Sequence, residues 1–179
     1  MAVWTHIAHD SLSLPATSVT WGVATPISGA YDHLYIKATV RNDYSAYLSE
    51  MDVRLNNDSG ANYSTTVLRA ETSTVSSEQE TGESKFRSIQ VAGDSVLAKS
   101  YSSVEIWIPH YSNDTNFKQA ICQANIPNTS VDDNEWSLTL SAQLWADTPA
   151  AIVRIDLIAS NSGDWMADSV FDLYGIKGV

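Results

Sequence analysis

Cysteine is nearly absent: Cys122 stands alone among 179 residues, which excludes an intrachain disulfide. It lies in Gln119-Ala120-Ile121-Cys122-Gln123, where a buried, unreactive thiol is expected. Basic residues are also few. Ten Lys and Arg, scattered along the chain, stand against 21 Asp and Glu, giving a net charge of −11. A nucleic-acid partner needs clustered Lys and Arg to displace counterions, so none is expected. The acidity reads instead as solubility and mutual repulsion between copies. No apolar run approaches the ~18 residues of a membrane span, and no membrane partner is expected. The opening Met1-Ala2-Val3-Trp4-Thr5-His6 has neither a basic nor a long apolar stretch. No secretion signal is therefore expected, and synthesis in a cytoplasm is. Long amphipathic helices, heptads, internal repeats and linkers are missing too.

What remains is a chain with 44% hydrophobic and 17% charged residues, rich in Ser, Thr and Asn. That mixture suits strands with one wet face and polar turns. Period-two alternation recurs from end to end. In Tyr31 to Arg41, Leu34, Ile36, Ala38 and Val40 share one face, and His33, Tyr35, Lys37, Thr39 and Arg41 the other. Glu50 to Leu55 aligns Met51, Val53 and Leu55 and runs into Asn56-Asn57-Asp58-Ser59-Gly60, a strong turn signal. Tyr101 to Ile108 aligns Val104, Ile106 and Ile108 opposite Glu105 and Trp107. Strands are also expected at Trp4 to Leu14, Ser18 to Ala24, Tyr63 to Glu71, Phe117 to Ile126, Glu135 to Trp145, Ile152 to Ser160 and Ser169 to Ile176. Ser88 to Val91 is a weak one. The expectation is one all-β domain over residues 1–179, an antiparallel jelly-roll-like β-sandwich of about ten strands. Residues 1–14 read as an N-terminal arm or edge strand. Residues 72–85, polar throughout, read as an exposed loop, and Arg41 to Ser49 as a second loop carrying Tyr44 and Tyr47.

Few groupings point to chemistry. His6 and His9 are three apart, which on a regular strand sends them to opposite faces. His33 and His110 lie in separate segments without metal-ligand spacing, so no metal is expected. The carboxylates of Asp132-Asp133-Asn134-Glu135 and of the Asn56-Asn57-Asp58 turn read as solvated turn residues rather than a calcium loop. Glu105 and Asp156 are the only pair worth naming for glycosidase chemistry, and wet strand faces account for both. No nucleophile elbow, phosphate-binding loop or zinc-protease motif occurs, so neither catalysis nor a cofactor is expected. Asn-x-Ser/Thr sequons at Asn57, Asn62, Asn113 and Asn128 follow from composition. Six tryptophans are many for this length. Trp107, opposite a buried face, is the candidate for an exposed contact.

Several phrases carry a resemblance. They are Tyr31-Asp32-His33-Leu34-Tyr35-Ile36-Lys37-Ala38 with Arg41-Asn42-Asp43, and Val53-Arg54-Leu55-Asn56-Asn57-Asp58-Ser59-Gly60-Ala61-Asn62-Tyr63. Val104-Glu105-Ile106-Trp107-Ile108-Pro109-His110-Tyr111, Phe117-Lys118 and the closing Phe171-Asp172-Leu173-Tyr174-Gly175-Ile176 follow. In this order the chain resembles the small jelly-roll virion proteins of tailed bacteriophages. That resemblance implies a capsid decoration (cement) protein, assembled in the host cytoplasm, that forms a homotrimer and bridges subunits of the major capsid protein. Its alternative is the carbohydrate-binding tip of a tail fibre or spike. The contacts it would use are expected at Trp4 and His6 in the first segment, at Tyr44 and Tyr47, and at Trp107.

Overall fold

The computed structural model describes residues 2–71, 74–127 and 136–178. The Asp132–Glu135 cluster and the sequon at Asn128 lie outside the described residues. Twelve strands form in chain order, with no helix among the described residues. They are β1 (Val3–Ser11), β2 (Ser18–Trp21), β3 (His33–Val40), β4 (Leu48–Leu55), β5 (Tyr63–Glu71) and β6 (Thr74–Glu83). β7 (Phe86–Ala92), β8 (Ser102–Pro109), β9 (Lys118–Ile126), β10 (Ser137–Trp145), β11 (Ile155–Ala159) and β12 (Val170–Lys177) complete them. Every pairing is antiparallel. One sheet runs β1-β12-β3-β8-β9-β10-β5-β6, the other β2-β11-β4-β7.

The connectivity is a nested hairpin. β1 pairs with β12, β2 with β11, β3 with β8, β4 with β7 and β5 with β6. Successive nested pairs alternate between the two sheets. The β9–β10 hairpin fills the gap between β8 and β5 and widens the first sheet to eight strands. The alternation read from sequence fixes which faces meet. Leu34, Ile36, Ala38 and Val40, with Val104, Ile106 and Ile108, face inward against Met51, Val53, Leu55, Ile155 and Leu157 of the smaller sheet.

Residues 74–83, within the segment expected to be a loop, form β6 instead. The strand pairs with β5 from Glu71↔Thr74 to Tyr63↔Glu83. Its Ser, Thr and Glu side chains are exposed along almost the whole length, so no apolar alternation could announce it. An edge strand is held by the ladder of its neighbour, and Ser/Thr-rich backbone accepts that pairing readily. The N-terminal segment resolves as an edge strand too: β1 borders only β12. The Asn56-Asn57 turn behaves as read. Both residues adopt positive φ (50° and 58°), and the Asp58 N–H donates to the Leu55 carbonyl at 2.9 Å, closing a tight turn that carries the chain from the smaller sheet to the larger.

One buried charge tests the packing. Asp52, at the bulge where β4 slips against β7, is wholly buried. The Lys85 ammonium at 2.5 Å compensates it. Removing one partner of such a pair strands a charge in low dielectric. Lys85→Ala is therefore expected to cost about 2–4 kcal/mol in denaturant unfolding, and an unchanged midpoint would show that the pair contributes nothing.

Candidate functional site

A regular strand puts alternate residues on one face, and directly paired residues on neighbouring strands share it. Following the ladders across β9, β10, β5 and β6 gives the outward face as four rows of four. The rows are Gln119-Leu144-Ser64-Thr81, Ile121-Ala142-Thr66-Gln79, Gln123-Leu140-Leu68-Ser77 and Asn125-Leu138-Ala70-Val75. None of these side chains is ionisable, on a chain of net charge −11. Five are large and apolar and face solvent: Leu68, Val75, Ile121, Leu138 and Leu140, at 49–70% exposure. At ~4.8 Å between strands and ~6.7 Å between alternate residues, this grid covers roughly 500 Å².

β10 shows why the face is apolar. Its leucines point out, while Ser137, Thr139, Ser141 and Gln143 are buried between the sheets. The strand is inside-out relative to a sheet with a wet outer face. Its phase is held from within. Trp145, at the inward end, stacks on Tyr63 (6.3 Å, 26°), which meets Phe86 edge-on at 5.3 Å. The Trp145 indole N–H donates to Asp58 at 2.7 Å. Gln143 donates to the Arg87 carbonyl (3.0 Å) and the Ser141 hydroxyl (2.8 Å), and accepts from Thr65. The interior polar groups of Gln143 are thus satisfied, and the aliphatic side chains are left outside.

The other half of the same face is aromatic. One row crosses all eight strands: His6, Tyr174, Tyr35, Trp107, Ile121, Ala142, Thr66, Gln79. Trp4 meets Tyr35 (5.2 Å) and Tyr174 (6.2 Å) edge-on, and His6 meets Tyr174 edge-on at 5.2 Å. Trp107 lies 4.9 Å from His33, which meets His110 at 5.0 Å. Glu105, one row along, accepts from Gln123, and burial followed by its carboxylate pushes the Tyr35 phenol up to about 12.

No protein-family model, curated protein or solved structure matches the chain. The geometry alone therefore carries the reading of the site.

Of the residues singled out in the sequence, Trp4, His6 and Trp107 come together on this face. Tyr44 and Tyr47 do not. They lie in the loop after Val40, at the opposite end of β3 from His33, where the Arg41 guanidinium ties down the neighbouring loop through the carbonyls of Asp94, Val96 and Leu97. Tyr44 is exposed, and Tyr47 packs on the small cluster of Ala92, Val96 and Ile126. Glu105 and Asp156 sit on different sheets, and Asp156 is taken up by Arg154 (2.7 Å) and Thr20 (2.9 Å), so the two acids do not flank one groove. Cys122 is buried, and desolvation pushes its thiol up to about 12.

One reading from spacing is overturned. His6 and His9 share a face, because β1 carries a bulge between His6 and Ala8: His6 pairs with Tyr174 and His9 with Asp172. Ile7 and Ala8 both turn toward the core, so the phase of the strand shifts by one. Both imidazoles reach Asp172 Oδ1, His6 through Nε2 at 3.0 Å and His9 through Nδ1 at 2.8 Å. Desolvation would raise the Asp172 carboxyl, and the hydrogen bonds from His9 and His6 outweigh it, so the group sits below the usual range.

If the leucines of the outer face serve contacts rather than folding, the two faces must differ in dilute solution. Ile36→Ala, on the inner face, is expected to cost about 2–5 kcal/mol. Leu140→Ala is expected to stay within about 0.5 kcal/mol. Equal losses in denaturant titrations would mean that the outer face is part of the monomer's own core.

Proposed function

We propose that this chain is a virion structural protein of the bacteriophage capsid-decoration type. In this reading it self-associates as a homotrimer through the uncharged half of its large sheet and bridges subunits of the major capsid protein. The observation that carries the self-association is the inside-out strand β10, which presents Leu138 and Leu140 to solvent beside Leu68, Ile121 and Val75. A second copy is the occupant that charge favours. Two chains of net charge −11 repel each other except where no ionised group lies, and the four-by-four face is such a place. Its roughly 500 Å² of sheet, with the adjoining Trp107 and Tyr35 strip, approaches the ~800 Å² per partner of a standard interface. Around a threefold axis the three uncharged faces turn inward, so that each copy meets its two neighbours with different parts of this face, and repeated weak contacts to the capsid add as avidity.

The nested pairing that alternates between the sheets supports a jelly-roll reading of the fold. The assignment to a virion, with its capsid partner, rests on the resemblance of the sequence phrases. The fibre-tip alternative needs an aromatic ring with an open flat face for sugar stacking. Trp107, the ring singled out for exposed contact, lies against His33 at 4.9 Å, and Tyr47 packs on Ala92, Val96 and Ile126, which weighs against it.

Light scattering coupled to size exclusion tests the assembly. The wild type is expected at three times 19.5 kDa, and the double variant Leu138→Lys/Leu140→Lys at 19.5 kDa with an unchanged circular dichroism spectrum. A wild type that stays monomeric at high concentration contradicts the proposal. Quantifying copies per particle against the major capsid protein tests the placement. A decoration protein is present at the copy number of the lattice, and a count matching a single vertex or tail would remove it from the capsid surface.

A further inference from the structure

The bulged edge strand brings together three metal-ligating groups at the end of the large sheet away from the uncharged face. His6 Nε2, His9 Nδ1 and Asp172 Oδ1 all lie within 4.8 Å of one another, with Asp172 between the imidazoles. Nitrogen and carboxylate donors around a tetrahedral Zn²⁺ sit at about 2.0–2.2 Å from the metal and hence about 3.3 Å apart. The two nitrogen–oxygen separations, 3.0 and 2.8 Å, need to open by only a few tenths of an ångström. The side chains have that freedom: His6 and His9 are about half exposed, at 48% and 51%, and Asp172 is 23% exposed. A cation seated there would replace the two N–H protons now directed at one oxygen, and its fourth position would open to water. Lys37 stands opposite Asp172 on β3, and among the described residues it makes no ion pair with it. The chain's negative charge favours a dication.

We infer that His6, His9 and Asp172 form a surface site for a borderline divalent transition metal, zinc first, which pins the N-terminal edge strand β1 to β12. Two imidazoles and one carboxylate select zinc, nickel or copper over calcium or magnesium, which prefer all-oxygen shells. The mechanical role follows from topology. β1 borders a single strand, so its ladder frays first, and a metal that takes two ligands from β1 and one from β12 closes that edge.

The test is isothermal titration of the untagged chain with zinc chloride, followed by hydrogen exchange. One zinc per chain is expected, with slower exchange of the Val3–Ser11 amides when zinc is present. His9→Ala and Asp172→Asn should each weaken binding by about ten-fold or more. His33→Ala, which disrupts the other histidine pair, should leave it unchanged. The altered side chains are on the solvent face, and circular dichroism checks the fold. Should His9→Ala unfold, His6→Gln replaces it with the same expected loss. Absence of saturable one-to-one binding overturns the inference. So does binding that survives the ligand variants, binding abolished by His33→Ala, or binding without protection of β1.

Discussion

The phase of β10 is the constraint on which the rest depends. A strand has two faces, and slipping it by one residue exchanges them entirely. In β10 the indole of Trp145, stacked on Tyr63 and bonded to Asp58, and the amide of Gln143, bonded to Arg87 and Ser141, hold one phase. In the slipped phase Trp145 would point to solvent, and Leu138, Leu140 and Leu144 would meet Ser88 and Gln90, both buried on the facing β7. The interior polar network and the exterior leucines are thus one decision.

Charge is distributed to the same effect elsewhere. On β6, Val75, Ser77, Gln79 and Thr81 belong to the uncharged face, whereas Glu78 and Glu80 point to the other side, paired with Arg69 and Arg87. The edge strand keeps acidic side chains beside its open backbone, which discourages unwanted strand addition, while its outer face stays neutral. The opposite edge, β1, also carries a bulge, as β6 does at Gly82, but presents two histidines where β6 presents acids. The two free edges of the large sheet are managed by different means.

The strands of the interior were legible because burial writes itself into alternation. Leu34-Ile36-Ala38-Val40 and Val104-Ile106-Ile108 sit where period two puts them, and Asn56-Asn57 turns where two positive φ values are needed. β6 was not legible, since an exposed edge strand of Ser, Thr and Glu has no apolar side to show. The outward leucines of β10 were hidden for another reason. Alternation reveals two faces but not which one meets the core, and only Trp145, in phase with the serines, signals the inversion. The histidine pair was missed because a single inserted residue, Ile7, changes the parity of the spacing. The doublet Ile7-Ala8 between two histidines was the available sign, apolar-apolar where regular alternation demands apolar-polar.

The central claim is that the outer face of β9, β10, β5 and β6 is covered when the protein assembles. Carbene footprinting of the concentrated wild type, read by side-chain labelling, tests it most directly. Leu14 and Val23, exposed at 75% and 66% away from this face, provide internal references. The account predicts that Leu138, Leu140 and Ile121 label far less than these references. Labelling of all three at the reference level would show the face open to water in the assembled protein and would contradict it.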